Sequence, residues 1–183
     1  AFESLDAHGV VALVVTEDLG YAPVTLETSP GMLAWPAADV DLRTLYRAGV
    51  DRDSWLWVLA KTGVVRRIDY LLPGAELKRK VDEGRAAGYP GIAPDGRSIL
   101  ANDEGYVRYI AAEPRRLDGP LVVIVDASYF RSGVPADLAT RLQQVDVVPA
   151  AVVLYRAIED TSVPDAARRA LDGAAQGLGG GSR

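Results

Sequence analysis

The chain has 183 residues, 49% hydrophobic and 25% charged, which suits one globular domain with a sizeable core and excludes disordered and fibrous classes. Its 25 acidic residues outnumber its 20 basic ones, and the net charge of -5 supplies no drive toward nucleic acid or anionic membrane. With no cysteine, disulfides, thiolate nucleophiles and Cys-ligated zinc or iron–sulfur sites are excluded together.

The first predicted element, residues 9–16, is an apolar run that reads as a strand buried on both faces and ended by the polar turn at residues 17–20. That run is far shorter than a membrane span, and no basic leader precedes it. The expected protein is therefore soluble, with the cytoplasm favoured and export after leader removal as the alternative. A short strand at residues 24–28 and helices at 39–48 and 54–62 follow, the helices closed by Gly49 and Gly63.

Residues 65–72 read as a strand stopped by Pro73-Gly74, and residues 75–87 as a charged helix ending at Gly88. The turn-rich stretch 89–96 is the expected mobile loop. Residues 98–101 and 106–111 pair as a hairpin or, alternatively, the second stands alone. The run Leu121-Val122-Val123-Ile124-Val125 is again wholly apolar and is ended by Asp126. Pro135 opens a helix to about Val145, residues 151–155 form the next buried strand, and Ser162 caps a last helix to about Gly177, with Asp165 at the capping-box position.

Apolar strands alternating with helices predict an α/β fold, a three-layer α/β/α sandwich around a mostly parallel sheet. It forms a single domain over residues 1–178, with a flexible Gly/Ser tail at 179–183. In such sheets ligands sit beyond the carboxyl ends of the strands. Acids occupy those ends: Glu17 and Asp18, Asp126, and Glu159 with Asp160. Clustered there, Asp18, Asp126 and Glu159 suit a hard cation such as Mg, Mn or Ca, whereas acids scattered along the edge would only cap helices or face water.

The single histidine, His8, precedes the first strand, so no site needing two imidazoles exists, and Ser128 with this distant His8 is a poor hydrolase pair. Trp55 and Trp57 lie about 200° apart on a helix, so they do not share a face: all three tryptophans being plain packing is the favoured reading, and one of the pair at an interface or pocket rim, with Trp35 on the same edge, is the alternative. Phosphate-loop, nucleophile-elbow and His-Glu-x-x-His signatures are absent.

A strand ending in Asp-Leu-Gly, a helix carrying Asp-Ser-Trp-Leu and a strand ending in Asp-x-x-Tyr-Phe together resemble a bacterial branch of the arginase-like (ureohydrolase/deacetylase) superfamily over residues 10–175. That resemblance implies a three-layer α/β/α fold and two divalent metals held by Asp-x-His-x-Asp and Asp-x-Asp segments, which activate water for C–N hydrolysis. Asp18 matches the last Asp of the first segment and Asp126 the first of the second. Val14, Thr16 and Ser128 stand where the family has Asp, His and Asp, so the metal-ligand motifs are degraded.

The expected function is accordingly a non-catalytic domain that binds a small ligand or protein partner without a cofactor, through Glu17, Asp18, Asp126, Ser128 and Tyr129. One alternative is a C–N hydrolase using a single Mg or Mn held by Asp18, Asp126 and Glu159. Another is a structural or assembly module presenting its tryptophans.

Overall fold

The computed structural model describes residues 9–19, 56, 59–60, 64–103, 106–117, 119–145, 148–158 and 160–179. His8, the three tryptophans, Glu159, the expected strand at 24–28 and the expected helix at 39–48 lie outside them. Of the expected helix at 54–62, Leu56, Leu59 and Ala60 are described, and they are helical and buried.

Among the described residues six strands form one mostly parallel sheet. They are β1 (Val10–Val15), β2 (Val65–Leu71), β3 (Ser98–Asp103), β4 (Tyr106–Ala111), β5 (Leu121–Asp126) and β6 (Ala151–Tyr155). Their order is β3-β4-β2-β1-β5-β6, and only β3 runs antiparallel, joined to β4 as the expected hairpin. The α/β class read from the alternation of apolar strands and helices is thus the observed one.

Alternation along the central strands divides the core. Val10, Ala12 and Val14 join Ile68, Tyr70, Val122 and Ile124 on one face, packed by Leu56, Leu59, Leu77 and Val81. Val11, Leu13 and Val15 join Val123 and Val125 on the other, packed by Tyr129, Leu138, Ala167 and Leu171. Both faces of β1 and β5 are therefore covered, which is why these two strands carry no polar side chain before their last position.

The covering helices are α1 (Gly74–Ala86), α2 (Pro135–Gln143) and α3 (Asp165–Gly179). Leu77 and Val81, four residues apart, form the buried stripe of α1, while Lys78–Asp82 and Arg79–Glu83 pair on its wet side. The Arg79 guanidinium also holds the Glu76 carboxyl below its ordinary value.

Two expectations are corrected. The stretch at 89–96, read as a mobile loop, is tied to β3: Leu100 N–H donates to Gly91 O at 2.7 Å and Ala93 N–H to Ser98 O at 3.0 Å. Ser162 does not cap the last helix, which begins three residues later. Its first bonds run to Pro164 O from Ala167 N–H at 2.9 Å and Arg168 N–H at 3.3 Å, while the Ser162 N–H and hydroxyl both bond Asp160 Oδ1. Proline has no N–H to lose at a helix entry, so Pro164 starts the helix and frees Ser162 for other bonds.

Candidate site at the carboxyl edge

β1 lies between β2 and β5. The chain builds outward from β1 toward β2 and β4, then returns to place β5 on the opposite side. The carboxyl ends of β1 and β5 therefore flank a topological switch point, where loops diverge and leave a crevice.

Two buried hydroxyls tie these ends together: Thr16 Oγ1 and Ser128 Oγ share a hydrogen bond of 2.9 Å. Thr16 Oγ1 also accepts from Asp18 N–H at 2.9 Å, and Glu17 N–H reaches Ser128 Oγ at 3.3 Å. These bonds shape the turn after β1 and turn Glu17 and Asp18 toward the loops beyond β5. Across the crevice Asp126 is the N-cap of a 3-10 turn (Ala127–Arg131), its Oδ1 accepting from Ser128 N–H at 2.7 Å. A carboxylate there satisfies a turn N–H that would otherwise be orphaned.

Arg131, at the end of that turn, gathers the acids. Its Nη1 donates to Asp18 Oδ1 at 3.2 Å and lies 3.9 Å from Glu17 Oε2. Its Nη2 reaches Asp160 Oδ2 at 3.5 Å and Ser162 Oγ at 2.5 Å. Ser132 adds a hydroxyl bond to Glu17 Oε1. Residues following β1, β5 and β6 thus meet on one guanidinium.

Four of the sequence-predicted residues, Glu17, Asp18, Asp126 and Ser128, lie in this network, and Asp160 joins from the β6 end. Tyr129 is directed elsewhere: it is fully buried in the apolar cluster, packs edge-on against Phe130 and accepts from Arg141 Nη1 at 3.1 Å. Burial pushes its phenol pKa up. Arg131, Ser132 and Ser162 were missed from sequence. Arg131 is 113 positions from Asp18 and 29 from Asp160, with no spacing that marks it.

The arrangement bears on the metals that the arginase-like resemblance implies. The Asp18 carboxylate is engaged by a guanidinium, Asp126 Oδ1 by a backbone N–H, and the hydroxyls of Thr16 and Ser128 by each other. Among the described residues no three carboxylate or imidazole side chains converge as a metal would require. These residues do not fit a binuclear centre, whose ligand positions at 14, 16 and 128 hold no carboxylate or imidazole.

A concavity of about 720 Å³ lies between α1 and the stretch 93–98, away from this cluster. Its walls carry Lys78, Asp82 and Arg85, of which Lys78 and Asp82 pair with each other and Arg85 bonds Pro94 O. Gly74, after β2, and Ala111 to Pro114, at the end of β4, complete its walls.

No family model, curated protein or solved structure matches the chain. Fold and site define it as a mostly parallel α/β fold with a hydrogen-bonded cluster of charged and hydroxyl side chains at the carboxyl edge of its sheet.

Proposed function

We propose that the chain is a non-catalytic small-ligand-binding domain whose ligand enters the crevice between the ends of β1 and β5. The observation that carries this reading is the meeting of side chains from three strand ends, Asp18, Arg131 and Asp160, at the switch point of the sheet. Among the described residues Arg131 meets Glu17, Asp18 and Asp160, and Arg168 Nη2 bonds the Asp160 carbonyl oxygen at 2.8 Å. The carboxylates of Glu17, Asp18 and Asp160 suit a cationic ligand, an amine or guanidine, whose donors share them with Arg131. The hydroxyls of Ser132 and Ser162 supply neutral acceptors beside them.

Thermal melts with a panel of monoamines, diamines and guanidines test it, with Mg and Mn against chelator as separate arms. A ligand at about 100 times its dissociation constant adds about 2.7 kcal/mol, a shift of a few degrees at this size. Asp18→Ala should abolish that shift. A ligand whose effect survives both Asp18→Ala and Arg131→Ala would remove the site assignment. A Mn- or Mg-specific rise lost in Asp126→Ala would favour the hydrolase alternative.

A further inference from the structure

The concavity beside α1 lies on the other side of β1 from the Arg131 cluster, beyond the carboxyl ends of β2 and β4. Its 720 Å³ falls within the size of small-molecule sites, about 300–1,000 Å³. The walls come wholly from described residues, on α1 and in the stretches 93–98 and 109–114.

These walls are fixed in place. Leu77 and Val81 anchor α1 on the sheet, and Leu72 N–H donates to Ala111 O at 2.9 Å, which sets the end of β4 beside the entry to α1. The opposite wall is tied to β3 by an isolated bridge, Ile92 to Ile99, and by the bond from Ala93 N–H to Ser98 O. A Cβ on Gly74 would meet nothing within 4 Å, so the groove is open at the start of the helix. A site built in advance spares a ligand the cost of ordering it.

The charges in the walls are balanced: Lys78, Arg85 and Arg97 face Asp82, Asp95 and Glu113. That balance disfavours a polyanion and a polycation alike. Two exposed pairs are matched, Lys78 Nζ with Asp82 at 2.8 Å and Arg97 Nε with Asp95 at 4.0 Å. Arg85 Nη2 instead donates to a carbonyl, Pro94 O, at 3.1 Å, and among the described residues Glu113 forms no ion pair.

Glu113 and Gly74 follow the paired strands β4 and β2, so Glu113 marks the N-terminal end of α1. Arg85 stands eleven residues along the helix from Gly74, roughly 16 Å away, with Leu77 and Val81 between them. Two or three extended residues, at about 3.4 Å each, span what the Glu113 and Arg85 side chains leave of that length.

We propose that this groove binds a short peptide of two or three residues with free ends, its ammonium group on Glu113 and its carboxylate on Arg85. A guanidinium offers a carboxylate two parallel N–H donors, which a carbonyl partner such as Pro94 O leaves underused. The two exposed ion pairs between these ends supply donors and acceptors for the peptide's amides, and such pairs open at little cost.

Calorimetric titration of the full chain with dialanine and trialanine, each also as its N-acetyl and its C-amide form, tests the assignment. One peptide should bind per chain, and either cap should weaken binding about tenfold or more. Glu113→Gln should erase the penalty of acetylation but keep that of amidation, and Arg85→Gln should do the reverse. Should Arg85→Gln misfold by circular dichroism, Arg85→Lys keeps the charge without the fork and should weaken the free-carboxylate peptides several-fold while leaving the amides unchanged. Absence of binding by both peptides up to about 10 mM, equal affinity for capped and free forms, or cap penalties that ignore these substitutions would each overturn the proposal. Peptide binding abolished by Asp18→Ala would also overturn it, by moving the ligand to the Arg131 cluster.

Discussion

The two halves of the sheet flanking β1 handle their polar groups in opposite ways. On the β2, β4 and β3 side the charges are matched internally. Asp69 is buried between Arg67 and Arg115, with Arg67 Nη2 at 2.7 Å and Arg115 Nε at 2.9 Å, and Arg115 lies over the Tyr109 ring at 4.1 Å. The outer ladder of β3 is closed by residues 91–93. On the β5 and β6 side the charges meet beyond the strand ends, where Arg131 joins Asp18 and Asp160. The difference teaches that one half of the sheet buries its ion pair within the strands, whereas the other gathers its charges at the strand ends, where the Asp18 side chain stays 41% exposed.

The largest expected effect breaks the closed half. Asp69→Ala leaves two arginines around an empty, desolvated position and should cost about 3–5 kcal/mol, read as a fall in the urea midpoint. A loss below about 1 kcal/mol would mean that the clamp is as dispensable as a surface pair.

Gly91→Ala acts on the capped edge. A Cβ there would stand 2.0 Å from Leu100 O, backbone that cannot move without releasing the bridge. A loss of about 1–3 kcal/mol is expected, together with concentration-dependent scattering as the β3 edge is uncovered. Loss of stability without new association would show that residues 91–93 do not protect the edge.

Tyr129 sharpens the comparison through pH. Its pKa is raised above 10.0 by burial, so the neutral phenol is the form the fold prefers. The associated stability is complete below the unfolded value and is lost as pH rises from there through the higher folded value. Urea midpoints across that alkaline window should fall more steeply in the wild type than in Tyr129→Phe. Glu76 works in the opposite sense: its lowered pKa adds stability above the unfolded value that disappears on acidification through the folded one.

The smallest stability effect belongs to the crevice. Asp18 has a side chain 41% exposed, so Asp18→Ala should change folding stability by less than about 1 kcal/mol while removing amine or guanidine binding. A larger loss of stability than of binding would make the network a structural tie.

Some of this organisation was legible before any coordinates. The β1 and β5 strands stand out because both faces are buried, which leaves unbroken apolar runs, and Pro135 marks the start of α2 because its ring suits a first helical position. The acids after β1 and β5 were equally visible as the polar residues that end those runs. Ser162 was misread because a serine three residues before an acid looks like a capping box, whereas Pro164 supplies the helix entry and Ser162 bonds Asp160 and Arg131 instead.

What the sequence alone determined is the sequence of strands and helices and the acids at their ends, since these depend on burial periodicity and local turn chemistry. Strand order belonged to the tertiary structure: it placed β5 beside β1, brought Asp18 and Asp160 to Arg131, and set residues 91–93 against β3. Such contacts join residues up to 113 positions apart, and no local pattern encodes which distant strand ends become neighbours.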